Sequence, residues 1–319
     1  MSRERSDPRR ELTTSLRVDG SGWVGWPPVW RSRSEHEAWK STSWSAAQAA
    51  LGRLIAARQT APEPFTVPGI CSIDMQPVLF EVDYQWGATC EGDVHVPNYR
   101  ERLVCPTCGL NCRQRALATL ALRYIGEASS RDLAVHVAER VTPFFRVLDE
   151  RSGDGCRVHG SEYLGADHSS GEEVGGVRHE DVCHLSFGDE SLDLMISGDV
   201  LEHVANPEDA FREASRCLRG GGAFLFTIPF HSDRDASSRR AVLTGNGRIV
   251  HDLPPEYHGN PLGDGRSLVF TDFGWDVLDM ARRAGFADAA ALGYWDAGFG
   301  FLDDLGTVFV ASKGSGDLP

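Results

Sequence analysis

From residue 132 onward, short apolar runs alternate with amphipathic stretches, the pattern of strand–helix–strand units around a parallel sheet. Runs at 133–138, 156–160, 177–182, 192–197, 223–228 and 307–311 read as strands. Thr142 and Pro143 open a helix through 148, with Thr142 as N-cap and proline in the first helical position. Asn206 and Pro207 start a second helix over 208–218, stopped by Gly220, Gly221 and Gly222. A third, over 273–284, is ended by Gly285. Ahead of this region the pattern predicts a helix over 113–125 and another over 45–58, which gathers Leu51, Leu54 and Ile55 on one face. Residues 1–44 are polar and carry Trp23, Trp26, Trp30, Trp39 and Trp44. Gly20, Gly22, Gly25, Pro27 and Pro28 forbid a long helix there. The expected organisation is an arm over 1–44, partly disordered but docked through its tryptophans, a cysteine-bearing module over 45–115 and an α/β domain over 116–319. An insertion at 230–270 interrupts that domain. No internal repeat stands out.

The chain has 319 residues, enough for one large and one smaller domain. Its formal net charge is −14, which repels phosphate backbones, so nucleic acid is a poor partner. No stretch approaches the roughly 20 apolar residues of a membrane span. The polar N-terminus lacks the apolar core of a secretory signal. These features point to the cytoplasm, where the eight cysteines are thiols or metal ligands rather than disulfides. A homodimer is compatible with the sequence.

The stretch 191–204, containing Gly198, Asp199, Glu202 and His203, together with 210–229, resembles the fourth strand, following helix and fifth strand of class I S-adenosylmethionine-dependent methyltransferases. The resemblance covers roughly 132–313. It implies a Rossmann-like sheet with helices on both faces and the cofactor lying across the carboxyl ends of the strands. It also implies that Glu162 accepts hydrogen bonds from the ribose hydroxyls and Tyr163 packs on adenine. Asp181, with Val182, would meet the adenine amino group, and Gly198 and Asp199 would border the cofactor. The turn after the first strand departs from the family, because 137–143 contains no glycine. Glu139 could still take the cofactor's ammonium, and Thr142 with its helix N-terminus the carboxylate. A bacterial subgroup shares three of this chain's features. They are the C-P-x-C-G-x-x-x-R-x-R segment from Cys105 to Arg115, the glycine-poor turn ending in glutamate, and the G-S-E-Y-L-G run from Gly160.

Cys105 and Cys108 form a knuckle whose thiolates can meet at one tetrahedral zinc. Cys71 and Asp74 have the shape of a second knuckle with aspartate in the last place. The expected ligand set is therefore Cys71, Asp74, Cys105 and Cys108, with Cys90 and Cys112 as substitutes, in a zinc-ribbon-like module with a structural metal. Arg113 and Arg115 could contact an anionic substrate, but they read first as arginines on an exposed helix face. The insertion carries His251 and His258, either of which could accept a proton from an acceptor near neutral pH. His203 is a weaker candidate for the same task, and Asp199 and Glu202 could orient the acceptor. The reaction implied is in-line methyl transfer to a small sugar or natural-product acceptor. Three rivals stand beside it: cyclisation or rearrangement on the same cofactor, a non-catalytic binding scaffold, and an RNA methyltransferase with a zinc ribbon, which the net charge and the absence of a Lys/Arg-dense stripe disfavour.

Overall fold

The computed structural model describes residues 28–43, 62–91, 94–128, 132–262 and 265–314. The expected helix over 45–58 and the arm residues Trp23, Trp26 and Trp44 lie outside them. The described chain falls into two units.

The larger unit comprises Val29–His36, Leu120–Leu292 and the described residues from Thr307 onward. The main sheet has seven strands, β1 (Val29–Trp30), β2 (Leu133–Val137), β3 (Cys156–Gly160), β4 (Leu192–Gly198), β5 (Leu218–Thr227), β6 (Asp288–Asp296) and β7 (Phe301–Ser312), of which residues 293–296 and 301–306 count with the smaller unit. Their order across the sheet is β1-β6-β7-β5-β4-β2-β3. β2 pairs in parallel with β3 on one side and with β4 on the other, and β4 pairs in parallel with β5. β7 lies antiparallel to β5. This is the parallel α/β sheet that the alternating pattern predicts, in the Rossmann-like form that the resemblance implies. Between β2 and β4 the chain order reverses, which opens a crevice at the carboxyl ends of the strands.

β2 is buried at all five positions and β4 at five of seven, as strands covered on both faces must be. The helix Pro207–Cys217 buries Ala210, Phe211, Ala214 and Cys217, a spacing that keeps one face inward. Phe211 meets Phe226 at 5.4 Å between ring centroids, and Phe226 stacks on Phe309 at 5.1 Å. Trp30 is buried and meets the His36 ring edge-on at 4.7 Å.

Four elements differ from the sequence expectation. The third parallel strand, expected over 177–182, is reduced to one bridge between Glu162 and His179. Gly175 and Gly176, both at positive φ, turn Val177–Arg178 back onto Glu173–Val174 instead, because two such residues match the right-handed twist of a tight hairpin. The glycine triplet does not stop the second helix. That helix ends at Cys217, and Gly220–Gly222 form a bulge inside β5, where the register with β4 jumps from Leu192↔Leu218 to Leu194↔Ala223. The helix expected over 273–284 spans only Val277–Arg283, since Gly274 packs its Cα against the backbone of Ala236 and Arg234, leaving no room for a Cβ. β6 was not legible, because its alanine-rich start is ambivalent between helix and strand.

The smaller unit contains the described residues of 37–119 and the segment Gly293–Gly306. Its centre is an antiparallel sheet of Phe65–Ile70, Pro77–Val82 and Leu103–Val104. The helix Cys112–Glu127 starts here. Arg115, expected on an exposed face, is fully buried. It donates to the carbonyls of Phe299 at 2.6 Å and Gly300 at 2.9 Å, with its guanidinium 4.1 Å above the Phe80 ring. Arg113 is buried against the Glu101 carboxylate at 2.9 Å. Both arginines therefore serve packing, because a long stem and planar head can fill a core that supplies acceptors. Among the described residues no helix is long and apolar enough to cross a membrane.

One buried group makes the larger unit sensitive to acid. His136 on β2 has no exposed surface, and one ring nitrogen lies 2.8 Å from the Ser161 hydroxyl. Burial holds its pKa down to about 3. In the unfolded chain the imidazole takes its proton near pH 6.5, so stability is lost as pH falls from about 6.5 towards 3. The expected slope from this residue is about 1.4 kcal/mol per pH unit. Denaturant titrations at pH 7 and pH 5 check this: His136→Gln is expected to lose less stability between the two than the native chain, and equal losses would contradict it.

Candidate functional site

Three loops, after β2, β3 and β4, stand at the switch point. After β2 the glycine-free turn runs into the helix Pro143–Arg151, with Thr142 in the N-cap position and an extended backbone. The Thr142 hydroxyl makes no cap hydrogen bond. It is buried with no partner among the described residues. Glu139 is half-buried in the same turn. Arg140 lays its guanidinium over the Phe145 ring at 4.2 Å.

Glu162 follows β3. Its Oε1 accepts hydrogen bonds from the backbone amides of Arg140 at 2.7 Å and Val141 at 2.9 Å. One carboxylate oxygen thus clamps the turn that lacks glycine, and the sequence reading had no sign of this task. Its second oxygen takes no hydrogen bond from a described residue. Tyr163 is exposed and lies 5.4 Å from the buried His179 ring. Asp181 is half-exposed, accepts from the Cys183 amide at 2.9 Å and lies 3.2 Å from His184. Val182 beside it is buried.

β4 ends at Gly198. Asp199 follows with φ +54, a left-handed conformation that is costly for a side-chain-bearing residue and recurs where function constrains the backbone. The Ser197 hydroxyl is buried without a partner among the described residues. The short helix Leu201–His203 then places Glu202 fully inside, 0% exposed, with neither carboxylate oxygen hydrogen-bonded. His203 Nε2 and His258 Nδ1 each lie 3.6 Å from Glu202 Oε1, beyond hydrogen-bond length. The two imidazole rings meet edge-on at 5.1 Å. Burial raises the Glu202 pKa, and the Glu202 carboxylate raises that of His258.

The structure therefore brings His203, Glu202 and His258 together and leaves His251 apart. His251 is exposed on a hairpin strand opposite Ala241. The insertion carries several such two-stranded pairings, and the one holding His258 brings that ring to this group.

In the smaller unit, Cys71, Asp74, Cys105 and Cys108 each present one ligand atom, all within 4.8 Å of one another. The two knuckles share one backbone pattern. The Cys71 amide donates to Gln76 O and the Met75 amide to Cys71 O. The Cys105 amide likewise donates to Leu110 O and the Gly109 amide to Cys105 O. Met75 at φ +52 stands where Gly109 stands at φ +78. The second knuckle was legible from Cys71 and Asp74 even though methionine replaces the usual glycine. The neighbouring thiols pull the Cys105 pKa down and push that of Cys108 up, as happens when one thiolate forms among several sulfurs. Three sulfurs and a carboxylate at this separation fit one tetrahedral zinc. Cys112 is buried outside the group, and Cys90 sits in a separate hairpin, 3.2 Å from His95.

A parallel sheet with this switch point and an antiparallel β7 beside β5 is a Rossmann-like α/β fold. Residues 151–226 match the family model described as "Methyltransferase domain". The matched segment holds Glu162, Asp181, Asp199, Glu202 and His203 and begins after the glycine-free turn. Sarcosine/dimethylglycine N-methyltransferase of Halorhodospira halochloris is 40% identical over 86 residues, which is 27% of this chain and 29% of that protein. The chain thus spans less than a third of that relative's length. Phosphoethanolamine N-methyltransferase 2 of Haemonchus contortus, solved with phosphomonomethylethanolamine and S-adenosylhomocysteine, is 15% identical with a TM-score of 0.37. That match covers 64% of this chain and 52% of the other. The 1,6-didemethyltoxoflavin-N1-methyltransferase of Burkholderia thailandensis is 17% identical with a TM-score of 0.37, over 63% and 78% of the two chains.

Proposed function

We propose that this chain is a class I S-adenosylmethionine-dependent methyltransferase that acts on a small acceptor, a sugar or natural product, by in-line transfer. One observation carries the reading: the Glu162 carboxylate stands at the carboxyl end of β3, beside the switch point, within the segment that matches a methyltransferase domain. The surrounding groups fit that cofactor. The unpartnered hydroxyls of Thr142 and Ser197 are polar groups of the kind a methionine carboxylate and ammonium would satisfy, and a carboxylate suits a vicinal diol. When bound, the cofactor supplies an activated methyl group on a sulfonium.

The chain's own residues hold and orient. Glu162 bonds the ribose with its second oxygen while its first keeps the 140–141 amides in place. Thr142, at the helix N-terminus, receives the carboxylate, and Glu139 the ammonium. Tyr163 and Val182 flank the adenine, and Asp181 accepts from its amino group. Gly198 lets the backbone of β4 approach closely. On the acceptor side stand Asp199, Glu202, His203 and His258, close to the end of β4. Rate enhancement comes mostly from positioning and from exclusion of water, with a smaller share from proton removal. His251 is not assigned a part in it.

The cofactor assignment is checked by calorimetric titration with S-adenosylhomocysteine. Glu162→Gln keeps an oxygen for the two amides but removes the charge, so binding is expected to weaken about tenfold or more, the value of one charge-assisted hydrogen bond. Unchanged affinity would reject the ribose role.

The module carries a structural zinc in this reading, held by Cys71, Asp74, Cys105 and Cys108, with no position left open for chemistry. Metal analysis is expected to give one tightly held zinc, which Cys105→Ser releases while lowering the melting temperature by more than about 5 °C. A folded native chain free of metal would remove this assignment.

A further inference from the structure

The Glu202, His203 and His258 group is built like a metal site rather than an ion-pair cluster. Glu202 is fully buried, and its two oxygens have no hydrogen-bond partner. An isolated buried carboxylate costs several kcal/mol, so a fold keeps one only where something compensates it. The two imidazoles stand at 3.6 Å, too far to hydrogen-bond. That distance is close to the separation of two ligands on one tetrahedral metal at bond lengths of about 2.0–2.1 Å.

The far side of each ring makes the same point. His203 Nδ1 lies 2.8 Å from the Leu268 carbonyl, so it donates there and leaves Nε2 as a lone-pair donor towards Glu202. His258 Nε2 lies 3.4 Å from Glu256 Oε1, which leaves Nδ1 facing Glu202. Glu256 is itself held by Arg240 at 3.0 Å, and Arg240 is anchored on Asp272 at 2.8 Å. One ring nitrogen towards a common point, and the other fixed by a carbonyl or a carboxylate, is the outer arrangement that orients metal-binding histidines. The Phe270 amide donates to the Glu202 carbonyl at 2.7 Å, tying the base of the insertion to the end of β4.

We propose that Glu202, His203 and His258 bind a divalent first-row transition metal, with Glu256 as a positioning residue. Two imidazoles and one carboxylate suit manganese, iron, cobalt or zinc, and three protein ligands leave positions open for an acceptor's oxygen. There the metal would lower the pKa of a bound hydroxyl. That consequence rests on the methyl-transfer reading, whereas binding of the metal does not.

Manganese is the discriminating probe, because a hard ion avoids the thiolate cluster of the smaller unit. Stripped full-length protein is titrated with Mn2+, and the free ion is followed by its paramagnetic resonance signal. One site is expected in the native chain. His258→Ala should weaken it about a hundredfold or more, and Glu256→Gln about tenfold. His251→Ala, an exposed histidine of the same insertion, should leave it unchanged. His258→Asp, which restores a ligating oxygen, should recover part of the affinity in a chain whose folding is verified by circular dichroism. Equal binding by the native chain and His258→Ala would overturn the proposal. So would no uptake of Mn2+ or Co2+ by the native chain below millimolar concentration. Binding of S-adenosylhomocysteine, measured in the same samples, separates failure of the metal site from failure of the cofactor assignment.

Discussion

A single carboxylate oxygen does at the switch point what glycines do in related folds. Parallel α/β sheets leave a crevice where strand order reverses, and its floor is set by the turn after the first strand. In this chain that turn carries full side chains from Glu139 to Thr142, so its backbone needs an external hold. Glu162 Oε1 supplies it by accepting both the Arg140 and Val141 amides. The turn after β2 is thereby tied to the end of β3, and the helix N-terminus at Thr142 is fixed beside them. Every role assigned in the crevice presupposes that tie.

The same economy recurs at the end of β4. Asp199 takes a left-handed backbone, and the short helix after it turns Glu202 inward. The insertion then closes over that carboxylate with His258 and with the Leu268 carbonyl that orients His203. A buried carboxylate without hydrogen bonds is costly, so its retention beside two aimed imidazoles argues for a bound cation more strongly than for packing. In the smaller unit the two knuckles solve a similar problem with identical backbone hydrogen bonds, although one of them places Met75 at positive φ.

What the sequence made legible was mostly local. Strands β2, β3 and β4 announced themselves as short apolar runs, and Thr142–Pro143 and Asn206–Pro207 marked two helix starts. Cys71 and Asp74 were recognisable as a knuckle because the pattern spans four residues. What stayed hidden depends on distant partners. Arg115 looked like a surface residue because its acceptors, Phe299 and Gly300, lie more than 180 positions away. His258 and His251 were equivalent in sequence, and only the hairpin pairing of the insertion separates them. The glycine pair at 175–176, just ahead of the run expected as the third parallel strand, was a hairpin signal, and local turn geometry prevailed over that strand.

The central claim is that the crevice beside Glu162 holds an adenosyl group despite the missing glycines. A crystal structure of the full chain soaked with S-adenosylhomocysteine tests it most directly. The account predicts ribose density against the free oxygen of Glu162, with the amino-acid end at Thr142. Side chains of the 139–142 turn filling that space, with the nucleoside elsewhere or absent, would contradict it.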